Sequence, residues 1–129
     1  MAINEWSLLK KQDKTACLPR IRVITGDQIA LGPGKVNLLE EINRSGSISK
    51  AARELGLSYR RAWTLVNTMN KSFKSFLVEG SAGGKKGGGA NLTSLGKKMA
   101  KTYRTMESKA VLAMKTDWKV IQNSLKPID

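Results

Sequence analysis

The chain has 129 residues, 40% of them hydrophobic but only 5% aromatic, which suits one domain with an aliphatic core and excludes wholesale disorder. Its 23 basic and 10 acidic residues give a net +13, which favours a polyanionic partner. With no histidine and one cysteine, Cys17, zinc fingers, an internal disulfide and imidazole-based catalysis are excluded, so neither a metal, a cofactor nor an enzymatic activity is expected.

No run approaches the roughly 20 apolar residues of a membrane span, and Met1 to Asp13 lacks the ordered regions of a signal peptide. The expected compartment is the cytoplasm. Residues 2–10 suit a short amphipathic helix or a loose arm. In RIRVITGDQIAL, residues 20–31, Ile21, Val23, Ile29 and Leu31 fall at alternate positions within two β-prone runs and Gly26-Asp27 marks the reversal, which predicts a β-hairpin. Pro33 is placed to open a helix running to about Asn43, and Ser45-Gly46 ends it. Ser47 is a predicted N-cap for SISKAAREL, whose Ile48, Ala51, Ala52 and Leu55 share a face. Gly56 supplies a left-handed cap, and Ser58 caps a third helix, YRRAWTLVNTMNKSF.

That third helix divides into two faces. Ala62, Leu65, Val66, Met69 and Phe73 fall within about 80° of arc and predict a core stripe. The other side carries Arg60, Thr64, Asn67 and Lys71, flanked by Arg61 and Thr68, and no acid occurs between Leu55 and Val78. Trp63 sits on the flank of the core stripe and is expected to pack under a neighbouring element. Residues 76–79 (FLVE) and 91–93 (NLT) are candidate strands enclosing GSAGGKKGGGA, which holds six glycines and the pair Lys85-Lys86. This loop departs from a phosphate-binding P-loop, because Lys86 stands where Ser or Thr belongs and glycines follow instead of a helix. Thr93 can cap a long last helix whose apolar stripe is Leu95, Met99, Tyr103, Met106, Ala110, Met114, Trp118, Ile121 and Leu125. So long a stripe on so small a domain predicts a partner helix, with Met99, Tyr103, Met106, Ala110 and Met114 as the dimerisation residues.

Two short helices joined by a glycine turn, the second with a basic outer face, make a helix-turn-helix, and the Gly-rich hairpin after them reads as a wing. The expected fold is mainly α with small β: a winged helix-turn-helix with an N-terminal β-hairpin and a long C-terminal dimerisation helix. The expected division is an arm at 1–18, a DNA-binding domain at 19–93 and the last helix at 94–129. A B-DNA major groove admits one α-helix, where Arg60 and Arg61 can fork onto guanine or phosphate and Asn67 can pair with adenine. Ser47, Ser58 and Tyr59 are candidate phosphate contacts, Thr64 and Lys71 share the outer face, and Lys85 and Lys86 would neutralise phosphates from the wing. From Ser58 to Lys101 there are nine basic residues against the single acid Glu79.

The segments GSISKAARELGLSYRRAWTLVNTMN and FLVEGSAGGKKGGGANLTSLG resemble the N-terminal domain of the ModE-type molybdate-responsive transcriptional regulators, and more distantly the LysR-type helix-turn-helix. The resemblance spans roughly Arg20 to Met106. It implies a winged helix, a homodimer built partly on the last helix, palindromic operators, and control of genes for molybdate uptake or molybdenum enzymes. Full-length members carry oxyanion-binding domains after the winged helix, whereas this sequence ends at Asp129. The expectation is therefore a regulator without its own oxyanion-binding domain, in which sensing is lost, is supplied by a separate effector-binding protein, or is directed at something else. Two other readings fit parts of the pattern: a winged-helix interaction adaptor acting through the last helix, and a non-specific DNA-compacting protein.

Overall fold

Residues 14–81 and 89–128 are described by the computed structural model. The arm helix expected at residues 2–10 and the wing-tip lysines Lys85 and Lys86 lie outside these described residues. In chain order the elements are β1 (Val23–Thr25), β2 (Gln28–Leu31), α1 (Pro33–Ser45), α2 (Ile48–Glu54), α3 (Tyr59–Ser72), β3 (Val78–Ser81), β4 (Gly89–Leu92) and α4 (Ser94–Ser124). Each strand pair is an antiparallel two-stranded sheet, β1 with β2 and β3 with β4. Three helices followed by a hairpin make this a winged helix-turn-helix.

The helix boundaries follow local chemistry. Pro33 occupies the first turn of α1, where its missing N–H has no carbonyl to meet in any case, and Gly46 ends the helix at φ +71°. Ser47 Oγ accepts the Lys50 N–H and Ser58 Oγ accepts the Arg61 N–H, so both predicted N-caps are in place. Between α2 and α3, Leu57 N–H donates to the Ala52 carbonyl and Gly56 N–H to that of Arg53, with Gly56 at φ +69°. This is a Schellman turn, and it sets the angle at which α3 leaves α2.

The chain divides into two compact units, Ile21–Tyr103 and the described residues 14–20 with those from Arg104 onward. In the first unit, Leu38, Leu39 and Ile42 of α1 meet Ala51 and Ala52 of α2, and Ala62, Val66 and Met69 of α3. Leu77, Val78, Ala90 and Leu92 close that core from the wing. The alternation expected in the first hairpin holds only in part. Val23 pairs with Leu31, but Ile24 pairs with Ile29, so Ala30 is an extra residue that shifts the register. Ala30 and Leu31 are buried together, and Ile29 is exposed.

The wing strands are also displaced from the predicted runs. Phe76 precedes β3 and is exposed, and β4 begins at Gly89 rather than Asn91. Thr93 does cap α4, its Oγ1 accepting the Gly96 N–H at 3.0 Å while donating to the Phe76 carbonyl at 2.7 Å. Gly96 lies against the strand backbone: a Cβ there would stand 2.1 Å from the Leu77 carbonyl oxygen. The first turns of α4 belong to the winged unit. Met99 packs on its core, and Tyr103 is only 1% exposed, its hydroxyl donating to the Ile21 carbonyl at 2.6 Å. Tyr103 is thus a core residue rather than part of a free dimerisation face. An apolar stripe along a helix marks burial without saying against what, and at Met99 and Tyr103 the same chain covers it.

In the second unit, Met106 is exposed whereas Ala110 and Met114 are half-buried. Gln122 Nε2 donates to Thr15 Oγ1 at 3.0 Å, and Arg104 pairs with the buried Glu107 at 2.8 Å. Leu112, Val120, Ile121 and Leu125 remain exposed. Among the described residues no helix is long and apolar enough to cross a membrane, and no cluster of His, Cys, Asp or Glu is arranged to hold a metal ion.

Candidate nucleic-acid interface

The helix α3 presents its two faces as its periodicity demands. Ala62, Val66 and Met69 are buried, while Arg60, Arg61, Thr64 and Lys71 are exposed and Asn67 is half-buried. The exposed hydroxyls differ in what they can still offer. Thr64 Oγ1 donates to the Arg60 carbonyl at 2.9 Å, so toward a ligand Thr64 is an acceptor only. Thr68 repeats the pattern one turn on, donating to the Thr64 carbonyl. Ser47 and Ser58 instead accept backbone N–H groups, which leaves their hydroxyl hydrogens free to donate to a phosphate. Tyr59, at the start of α3, is exposed as well.

Lys35 of α1 joins this basic surface, which sequence alone did not reveal. Its ammonium donates to the Ile29 carbonyl. Partial burial, and after it the Arg61 charge, holds its pKa below the usual lysine range. A lysine on a different helix feels Arg61 because the winged fold brings α1 and α3 together. No linear pattern links the two residues.

Asn70 fixes the wing to α3. Its Oδ1 accepts the Leu77 N–H at 2.8 Å and the Val78 N–H at 3.1 Å, and its Nδ2 donates to the Val78 carbonyl at 3.0 Å. One side-chain amide therefore plays the part of a neighbouring strand. The second attachment is at Ala90, whose N–H donates to the Gly46 carbonyl at the end of α1. Neither residue carries a sequence signal of its own, since an Asn on an amphipathic helix normally reads as a solvated side chain.

Trp63 is not packed under a neighbouring element as expected; half of it is exposed. It lines an open groove of about 650 Å³ between α3 and the wing strands, together with Tyr59, Asn67, Lys71, Phe76 and Glu79. Tyr59 and Phe76 are more than half exposed there. The wing leaves α3 through Asn70, on the same flank as Trp63.

No family model matches the chain. Among curated proteins it is 41% identical over 93 residues to the molybdenum transport protein ModE of Azotobacter vinelandii, a match covering 72% of this chain and 34% of that protein. It is 45% identical over 71 residues to the DNA-binding transcriptional dual regulator ModE of Escherichia coli, covering 55% of this chain and 27% of that one. With the molybdenum-pterin-binding protein MopB of Rhodobacter capsulatus it shares 47% identity over 78 residues, 60% of this chain and 29% of MopB. Among solved structures, ArgP from Mycobacterium tuberculosis superposes with a TM-score of 0.47 at 20% identity, covering 67% of this chain and 31% of ArgP. The chain spans about a third of the length of the curated relatives it matches. Over that stretch, the winged unit and its basic helix make this chain the carrier of a ModE-type domain.

Proposed function

We propose that this chain is a transcription regulator that binds double-stranded DNA, reads its sequence with α3 and acts as a homodimer on a palindromic operator. The observation that carries the reading is the exposed face of α3. Arg60, Arg61, Thr64 and Lys71 stand on one surface, and the chain holds no acid from Leu55 to Val78. Such a face matches the charge and width of a major groove. Arg60 and Asn67 are the base readers. Arg61, Lys71, Ser47, Ser58, Tyr59 and the wing lysines Lys85 and Lys86 hold phosphates, which fixes the register. The apolar residues Met106, Ile121 and Leu125 of α4 support a second copy as the dimer partner. The names of the relatives, a DNA-binding dual regulator and two molybdenum-related proteins, support genes of molybdate uptake or molybdenum enzymes as the targets.

Selection of genomic fragments by the purified chain at near-physiological salt, followed by sequencing, tests this reading. Enrichment of an inverted repeat with half-sites about 34 Å apart is the expected result. Recovery of all fragments in proportion to their abundance would leave only backbone binding and overturn it.

A further inference from the structure

The groove between α3 and the wing is apolar where it should be basic if its role were to hold DNA backbone. Trp63, Tyr59 and Phe76 form an aromatic surface, each half exposed or more, and Glu79 stands on the wing side with Asn91 Nδ2 at 3.4 Å from its carboxylate. A carboxylate at that wall repels a phosphate. The remaining rim is complementary to DNA as a whole, with Lys71 lining the groove and Arg60 on the adjoining turn. Along α3, Trp63 precedes Asn67 by one turn, about 40° around the helix axis, so it borders the base-reading face. In a major groove the apolar feature at the edge of a base pair is the thymine C5-methyl group, beside the N6/N7 pattern that an asparagine amide reads on adenine.

We propose that this groove seats thymine methyl groups adjoining the adenine read by Asn67, with Trp63 as the residue that senses the methyl. The inference rests on the DNA-binding reading above and adds a sequence preference to it. Glu79 supports the same preference: it keeps the backbone out of the groove, leaving the aromatic surface to a base edge. The volume, far larger than one methyl, accommodates the base edge that carries it.

The test uses the full chain, a duplex that it selects, and the same duplex with each thymine in turn replaced by deoxyuridine, which removes the methyl and keeps every hydrogen bond. Binding is read by fluorescence anisotropy. Where a thymine faces the groove, the wild-type chain is expected to lose about fourfold in affinity per methyl, the factor that corresponds to one buried CH₂ group. Trp63→Ala is expected to bind both duplexes equally, and Trp63→Phe to keep part of the difference. Because Trp63 is half exposed, both variants should fold, which circular dichroism checks. If Trp63→Ala weakens both duplexes by one common factor, or if the wild type selects its sequence yet ignores the methyls, the proposal falls while DNA reading stands. If the wild type prefers neither duplex to random DNA, the regulator reading itself fails and takes the proposal with it. If Trp63→Ala converts a dimer to a monomer in light scattering and leaves the methyl preference intact, the groove seats a second copy instead, and the proposal is overturned.

Discussion

At the scale of single residues, Asn70 and Arg60 illustrate two different uses of a polar side chain on α3. Asn70 satisfies three backbone groups of the wing. Asn70→Ala would orphan the Leu77 and Val78 N–H groups and the Val78 carbonyl, which should cost about 2–3 kcal/mol. Urea unfolding checks this, and a loss below the scale of one ordinary hydrogen bond would show that water replaces the amide. Arg60 has no such structural duty. Among the described residues its side chain has no hydrogen-bond partner, so Arg60→Ala should leave stability unchanged and weaken binding to a selected operator by about 1–3 kcal/mol, with little effect on random DNA. Lys85→Ala should weaken both alike, because a phosphate contact carries no sequence information. Competition titrations distinguish the two. Equal losses from both substitutions would remove Arg60 from base reading.

At the scale of elements, the packing of α4 on the wing depends on one glycine. A Cβ at position 96 would meet the Leu77 carbonyl oxygen at 2.1 Å, and that oxygen belongs to a backbone already held by Asn70 on the other side. Gly96→Ala should therefore destabilise the domain by at least about 3 kcal/mol, since neither partner is a flexible side chain that can swing away. Thermal unfolding measures it, and a wild-type midpoint would mean that α4 shifts freely on the wing. The caps tell the opposite story. Ser47, Gly56 and Ser58 act within four residues of where they stand, so α2, α3 and the turn between them were readable from spacing alone. The first hairpin falls between these cases. Its turn at Gly26-Asp27 was legible, but the extra residue Ala30 was not, and a bulge of one residue exchanges which side chains face the core.

At the scale of the whole molecule, charge governs how binding responds to salt. The segment from Ser58 to Lys101 carries nine basic residues and one acid. If about six phosphates are neutralised, log affinity should fall with log salt at a slope of about −5. A slope near zero would sink the electrostatic account of DNA binding. Association is the second property of this scale. Tyr103 and Met99 pack on the winged core, so the proposed homodimer is assigned to the later turns of α4, where Met106, Ile121 and Leu125 are exposed. Light scattering at micromolar concentration should find a dimer, and Ile121→Lys should shift it toward monomer without changing the helix content. A wild-type monomer at that concentration would refute the homodimer.

The sequence by itself determined the three helices, their caps, the wing and the sidedness of α3, because periodicity, N-caps and left-handed glycines act over a few residues and leave a local record. It also determined the basic character of the exposed face of α3, since charge needs no contact to be counted. Only the tertiary structure decided which apolar positions are covered and by what. Tyr103 went into the core through Ile21, the bulge buried Ala30 and left Ile29 exposed, and Trp63 was left lining a groove beside the wing. Each of these outcomes depends on residues that are far apart in the chain and adjacent in space. An apolar side chain gains from any cover that removes it from water, so its identity alone does not say which neighbour provides that cover.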